Sequence, residues 1–376
     1  MAAPPAPIAF IDLKAQQVRI RDRIEARFKA VLDHGAYING PEVAELEAGL
    51  CAFTGASKAL AAASGTDALM IPMMAMGLKA TDAVFLPAFT YNATASAVVL
   101  AGATPVFVDV RARDFNLDPE DLERRIGEAR ASGLAPRLVV AVDLYGIPAD
   151  YAAIFAVAEA HGLKVLADAA QSFGARWNGR WAGNIAPVTA TSFFPAKALG
   201  GYGDGGAVLF RDPELYEASE QVRWHGTDSA RKESVRIGFN GRLDSLQCAV
   251  VSEKLPLFEG ELVRRRQIAA IYDGRLADHV DPQSLGEGCE SGYGLYTVAL
   301  DRRDEVQARL KADGVPTAIY YPQPLPQMAA FRPYAQGQSF PESDRLARRV
   351  LSLPMHPYLS DEQAEYVCDR LIEAMG

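Results

Sequence analysis

The stretch AVFLPAFTYNATASAVVLAGATPVFVDV, Ala83 to Val110, sets the architecture. Ala83–Leu86 is a short apolar run stopped by Pro87. Ala93–Leu100 is built of small and apolar residues without a breaker, and Val106–Val110 is a second apolar run. Strand, helix and strand in close succession form the repeating unit of a parallel sheet buried on both faces. The pattern extends in both directions. Leu138–Val142, Val165–Ala167, Thr189–Phe193 and Ala207–Phe210 read as further strands; Thr66–Met76, Pro119–Ala131 and Tyr151–Glu159 read as helices. The last two strands have no long helix between them, so part of the sheet is expected to be antiparallel.

Outside this block the periodicity is helical. Val18, Ile20, Ile24, Phe28, Val31 and Leu32 mark a helix over residues 13–33, and Gly40-Pro41 opens a second. Residues 212–277 read as mostly helical, with a polar loop near Gly226–Gly241. A strand at Tyr293–Leu300, helices at Asp304–Ala312, Ser343–Leu351 and Asp361–Met375, and a short strand near Thr317–Tyr320 follow. At roughly 100–200 residues per domain, two domains are expected, a large one over residues 1–280 and a smaller C-terminal α/β domain over 281–376.

Composition narrows the function. The sequence carries 38 Lys and Arg against 47 Asp and Glu, a net charge of −9, which removes the electrostatic case for a nucleic-acid or polyanionic membrane partner. Apolar residues at 49% and charged residues at 23% exclude a disordered chain. The longest apolar stretch, Ala95–Val108, is interrupted by Ser96, Gly102, Thr104 and Pro105 and is too short to span a bilayer. The start, MAAPPAPIAFIDLK, has three prolines and no basic n-region, so no signal peptide is expected. Cys51, Cys248, Cys289 and Cys368 are scattered, which fits reduced thiols and a cytoplasmic location. No metal site is proposed by the separated histidines.

In open α/β sheets ligands bind beyond the carboxyl ends of the strands. Five segments in such positions carry chemistry. Ser64-Gly65-Thr66-Asp67 runs into a helix and suits either phosphate binding or simple capping. Asp168 ends an apolar strand; it either holds a protonated ring nitrogen or caps the next helix. Lys197, between Phe193-Phe194 and Leu199-Gly200-Gly201, sits where partial desolvation makes an amine nucleophilic toward aldehydes; the alternative is a solvated lysine. Tyr91, after Pro87, either stacks on an aromatic ligand or joins the core. Arg236, Asn240, Arg242 and Asp244 form either an anion grip or a salt-bridge patch. Gly201, Gly203 and Gly206 spell GxGxxG, but they precede a strand instead of opening a helix, so a dinucleotide fingerprint is rejected.

Taken together and in order, SGTDAL, PAFTYNATASAVVLAGATPVFVDV, DLYGIPAD, VLADAAQSFGA, SFFPAKALGGYGDGGA and NGRLDSLQCAV resemble the DegT/DnrJ/EryC1/StrS family of pyridoxal-phosphate sugar aminotransferases. The resemblance runs from Phe10-Ile11-Asp12-Leu13 to Ser352-Leu353-Pro354-Met355-His356-Pro357. It implies the fold-type-I, aspartate-aminotransferase-like architecture, with a mainly parallel seven-stranded sheet and a smaller C-terminal α/β domain. It implies that Lys197 carries the cofactor covalently and is the catalytic base, and that Asp168 pairs with its pyridine nitrogen. Gln171 would lie near its phenolic oxygen, Tyr91 would cover its ring, and Gly65, Thr66 and Ser192 would hold its phosphate. Asn240 would reach the phosphate of a second subunit, so a homodimer with shared active sites is implied. Lys197 also separates the chain from family members that carry histidine there and act as dehydratases. Asp143 departs from the family, in which histidine or serine is common.

Within the family, FIDLKAQQ, DHGAYINGPEV, HGTD, RIGFNGRLD, YYPQPLP and SLPMHPYL resemble the subgroup that aminates C3 of UDP-2-acetamido-2-deoxy-3-oxo-glucuronate with L-glutamate as donor, for bacterial surface polysaccharides. On this resemblance Arg236 would meet the uronate carboxylate, Arg242 would pair with Asp244, and Tyr320 and Tyr321 would line the nucleotide-sugar entrance. The alternatives are a 3-keto or 4-keto dTDP- or GDP-deoxysugar as acceptor, a cofactor-retaining regulatory or binding protein without turnover, and a nicotinamide oxidoreductase.

Overall fold

The computed structural model describes residues 7–335 and 337–376. The expectation placed on the first six residues, that they are not part of a signal peptide, lies outside the described residues. The strands in chain order are β1 (Lys58–Ala62), β2 (Asp82–Pro87), β3 (Thr104–Val108), β4 (Ala135–Val142), β5 (Lys164–Asp168), the short pair β6 (Arg176–Trp177) and β7 (Arg180–Trp181), then β8 (Val188–Ser192) and β9 (Gly206–Phe210). After these come β10 (Asp281–Pro282), β11 (Cys289–Glu290), β12 (Tyr296–Ala299) and β13 (Val350–Leu353).

Seven strands form one sheet in the order β1-β9-β8-β5-β4-β2-β3. The pairs β2/β3, β2/β4, β4/β5 and β5/β8 are parallel, while β9 runs antiparallel to both β8 and β1. The expected antiparallel portion is therefore β9 alone, and β1 points the same way as the other five strands. β1 is absent from the sequence reading: Lys58–Ala62 is alanine-rich and short, and only its pairing with β9 makes it a strand.

Helices cover both faces. They are α1 (Leu13–His34), α2 (Pro41–Thr54), α3 (Gly65–Ala75), α4 (Asn92–Leu100), α5 (Pro119–Ala131), α6 (Tyr151–His161), α7 (Tyr216–Arg223), α8 (Ser245–Leu276), α9 (Arg303–Ala312), α10 (Pro341–Arg349) and α11 (Asp361–Met375). Side chains of Asp12, Ser64, Asp118, Asp150, Asp244 and Ser360 accept from first-turn N–H groups of α1, α3, α5, α6, α8 and α11 and set where those helices begin. Leu60, Val84, Leu86, Phe107, Val140, Leu166, Val208 and Phe210 make one face of the sheet and pack against α3 and α4 through Leu69, Ile71 and Val98. Phe85, Val108, Val139, Ala141 and Ala167 make the opposite face and pack on Leu122, Ile126 and Ile154 of α5 and α6.

The C-terminal region has its own apolar cluster, of Val298, Val306, Leu310, Leu351, Leu353, Val367 and Leu371, around the sheet β10-β12-β13. Ile268, Tyr272 and Leu276, the last turns of α8, are part of that cluster, as is Ile8. Three expectations are corrected here. Residues 350–353 are strand β13, not the end of a helix; α10 stops at Arg349, and Val350–Leu353 pairs with Tyr296–Ala299. The strand expected near Thr317–Tyr320 is a single bridge, Ala318 to Ser352. The one expected over Tyr293–Leu300 shortens to β12, and just before it Leu295 N donates to Tyr145 O at 3.0 Å, with Gly294 against the backbone of Gln171.

Candidate active site

Because β1, β2, β4, β5 and β8 run the same way, their carboxyl ends share one edge of the sheet. The turns that follow them line a cavity of about 390 Å³. Gly65, Thr66, Tyr91, Asp168, Gln171, Ser192, Lys197, Tyr320 and Tyr321 all line it. Nine positions singled out from sequence, spread over 257 residues, thus converge on one space.

Asp168 is the last residue of β5 and is 6% exposed. Its Oδ1 accepts from Ala170 N at 3.1 Å and its Oδ2 from Thr94 Oγ1 at 2.9 Å. Burial pushes its pKa up; the two hydrogen bonds and the charge of Lys197 pull it back down. Lys197 lies in the turn after β8, where its N–H donates to Phe194 O at 2.8 Å. Burial pushes the Lys197 ammonium down in pKa, opposed by Asp168. The cavity therefore opposes a fixed carboxylate to an amine that deprotonates more readily than a surface lysine.

The turn that carries Lys197 is held on all sides. Gly201 N donates to Phe193 O and Phe193 N to Gly205 O, both at 2.7 Å. Beneath it, Lys254 of α8 donates its Nζ to Gly200 O at 2.6 Å, and Gln247 Oε1 accepts from Tyr202 N at 2.9 Å. A Cβ on Gly206 would stand 2.6 Å from both Ser64 O and Thr191 O. The glycines thus allow close backbone approach. Leu199 and Phe193 are buried as expected, whereas Phe194 is half exposed at the cavity edge.

At the other end of the cavity Ser64 Oγ accepts from Asp67 N at 3.0 Å, which leaves the N–H groups of Gly65 and Thr66 without an intrahelical acceptor. A Cβ on Gly65 would come within 2.7 Å of Ser192 Cβ, so the start of α3 lies directly against the Ser192 hydroxyl. Gln171 spans the wall: its Oε1 accepts from Tyr145 N at 2.6 Å and its Nε2 donates to Tyr321 Oη at 2.9 Å. Tyr91 is exposed at the mouth, its ring 5.9 Å from that of Tyr321.

Arg236 and Asn240 do not reach this cavity. Both lie in the loop between α7 and α8, with Arg236 Nε donating to Gln221 Oε1 at 2.7 Å and Asn240 bridged to Trp224. The expected Arg242–Asp244 pair does not form. Asp244 is committed to capping α8 through Gln247 N at 2.8 Å, and the Arg242 guanidinium lies 4.1 Å from the centre of the Trp224 ring. Thr94, Asp204 and Leu295 also line or support the cavity and were not found from sequence. Thr94 had a readable signal: it sits one turn into α4, directly after the strand end that carries Tyr91.

A family model for the DegT/DnrJ/EryC1/StrS aminotransferases matches residues 18–372. The UDP-2-acetamido-2-deoxy-3-oxo-D-glucuronate aminotransferase of Pseudomonas aeruginosa is 46% identical over 97% of this chain and 99% of its own. The crystal structure of a DegT/DnrJ/EryC1/StrS aminotransferase from Brucella abortus superposes with a TM-score of 0.95 at 42% identity, covering 98% of this chain and all of that one. The structure of NtdA from Bacillus subtilis with bound cofactor PMP gives 0.88 at 26% identity, over all of this chain and 86% of that one. With 355 residues matched and the sheet, the turn of Lys197 and the helix start at Gly65 in place, the chain belongs to the DegT/DnrJ/EryC1/StrS aminotransferase family.

Proposed function

We propose that this protein is a pyridoxal-phosphate-dependent aminotransferase that moves an amino group from L-glutamate to C3 of UDP-2-acetamido-2-deoxy-3-oxo-glucuronate. The observation that carries the reading is the convergence of Lys197, Asp168 and the open start of α3 on one cavity. The substrate named for the Pseudomonas aeruginosa relative supports the choice of sugar.

The residues present fit the cofactor. The free N–H groups of Gly65 and Thr66, with the Ser192 hydroxyl against them, make a cradle for a phosphate dianion. Asp168, buried and held by two donors, supplies the fixed negative charge that a protonated pyridine nitrogen requires. Pyridoxal phosphate, when bound, withdraws electrons from the amino donor and acidifies its Cα–H. Lys197 supplies the amine that takes this proton at Nζ and returns it, and its lowered pKa keeps a larger share in the free-base form. Tyr91 covers the mouth and Gln171 holds the wall through Tyr145 and Tyr321, which together restrict water. Arg236 and Asn240 do not line their own cavity, and their loop serves that of a second copy in a homodimer. Arg236 is the candidate there for the uronate carboxylate.

The test is amination of a panel of keto sugars, generated in situ with L-glutamate and read by mass. Amination of the 3-oxo-uronate with formation of 2-oxoglutarate is expected. Turnover of a 4-keto dTDP-sugar but not of the 3-oxo-uronate would replace the sugar. Cofactor binding with no transfer to any acceptor would replace the enzyme with a regulatory or binding protein.

A further inference from the structure

Asp143 is the first residue after β4, beside the end of β5: its N–H donates to Asp168 O at 3.1 Å. It is fully buried, yet it does not line the cavity. Among the described residues no lysine, arginine or histidine pairs with it. Three neutral donors surround it instead. Oδ1 accepts from Ala149 N and Tyr151 Oη, both at 2.9 Å, and Oδ2 accepts from Ser172 Oγ at 2.8 Å. Desolvation is the largest influence on its pKa and raises it to about 7, with Asp168 adding to the rise and the three donors opposing it.

A buried carboxylate with no cation is costly unless its lone pairs are used. Here they connect two otherwise separate parts. Ala149 and Tyr151 belong to the start of α6, a rigid base in which Tyr151 packs 5.5 Å from Phe155 and 6.1 Å from Trp177. Ser172 belongs to the turn Asp168–Ala175, which presents both Asp168 and Gln171 to the cavity. Asp168 and Gln171 anchor that turn toward the cavity through Thr94, Tyr145 and Tyr321, and Phe173 anchors it on Phe53 and Phe258. Ala169, Ala170 and Ala175 carry no polar side-chain groups, so Ser172 is its side-chain hydrogen bond toward α6. A side chain of this length with one oxygen for the α6 donors and a second polar atom for the Ser172 hydroxyl holds the two parts together.

We infer that Asp143 is a positioning residue: through Ser172 it fixes the Asp168–Ala175 turn to α6 and so holds Gln171 and Asp168 at the angle at which they face the cofactor. The inference rests on the aminotransferase reading for its cofactor consequence, but not for its structural one.

The test compares Ser172→Ala, Asp143→Ala and Asp143→Asn with wild type in two measurements. The first is hydrogen exchange of the backbone amides of residues 168–175 in protein stripped of cofactor. The second is the dissociation constant for pyridoxal phosphate. Loss of a hydrogen bond to a buried carboxylate is expected to speed exchange in this segment, and to weaken cofactor binding, by roughly tenfold in Ser172→Ala and Asp143→Ala. Asparagine keeps Oδ1 for the α6 donors and lets the Ser172 hydroxyl accept from Nδ2, so Asp143→Asn should return both readouts to within about threefold of wild type. Ser172→Ala removes one hydroxyl and leaves the rest of the cluster intact, so it reports even if Asp143→Ala fails to fold. Unchanged exchange of residues 168–175 in Ser172→Ala overturns the inference, as does a loss in Asp143→Asn equal to that in Asp143→Ala. Wild-type protein that binds no pyridoxal phosphate, with the exchange pattern as expected, would refute the proposed function and leave the positioning role standing.

Discussion

The rim of the large sheet and the loop between α7 and α8 treat their functional groups in opposite ways. On the rim, Asp168, Asp143 and Gln171 each have their polar atoms used by named neighbours within the same chain. In the loop, Ile237 is 83% exposed and Val235 53%. Arg231 and Arg242 lie 3.5 and 4.1 Å from the Trp224 ring centre, and burial, followed by the charges of Arg231 and Arg223, lowers the pKa of Arg242. The loop is not slack, for a Cβ on Gly238 would fall 2.2 Å from Gly226 N. A tightly folded backbone that offers exposed apolar side chains and, among the described residues, cations with no acid partner is suited to a surface that its own chain does not supply. The rim satisfies these polar groups within one chain, whereas in the proposed homodimer the loop would act on the cavity of a second copy.

The sharpest way to break this contrast is complementation. Lys197→Ala should lower amino transfer by about 10³-fold or more, since the proton carrier is lost. Asn240→Ala should lower it by roughly tenfold or more, as a phosphate contact is lost. Unfolded and refolded together in equal amounts, the two variants should recover about a quarter of wild-type activity, because half of the sites in mixed dimers are intact. Activity no greater than that of the Asn240→Ala protein in the mixture would show that Asn240 serves its own chain's cavity.

A smaller effect tests the completeness of the rim. Thr94→Val keeps the shape of the side chain but removes one of the two donors to Asp168. Without it the carboxylate is less stabilised and its pKa rises further, so cofactor should dissociate at higher pH on the acid side and bind about tenfold more weakly at pH 7. An unshifted acid limb in a pH titration of bound-cofactor absorbance would show that Thr94 does not support Asp168.

An effect on stability instead of activity concerns Lys254, buried beneath the Lys197 turn with its pKa lowered to about 8 by desolvation, from 10.5. Between those values the unfolded chain binds the proton and the folded chain does not, so this group makes stability rise with pH. Compared with Lys254→Met, wild type should gain about 2 kcal/mol of unfolding free energy between pH 7.5 and pH 9.5. A difference that stays flat across this range would mean that the ammonium is not desolvated.

The parts legible in sequence were those in which chemistry and local pattern coincide. Asp168 ends an apolar strand and Lys197 lies in the turn after β8 between Phe193-Phe194 and Leu199, and a charged residue in such a place invites a reason. Ser64-Gly65-Thr66 is a helix start whatever the tertiary context. β1 was missed because an alanine-rich segment has weak strand preference until β9 pairs with it. β13 was missed because Val350–Leu353 continues the apolar spacing of α10, and only the ladder to β12 turns it into a strand. Arg242 was misassigned because Asp244, two residues on, reads as its partner, whereas the start of α8 takes that carboxylate as its cap.

The sequence alone determined the alternation of strands and helices, the direction of most of the sheet and the residue types of the site, because these depend on hydrophobic period and on which groups can do the chemistry. Tertiary structure alone decided which of those residues meet. It placed nine of them at one cavity and left Arg236 and Asn240 outside it. It also gave Asp143 two donors at the start of α6 and a third, Ser172, 29 residues on. Hydrogen-bond partners far apart in the chain are set by how the strand ends align, and no local pattern encodes that alignment.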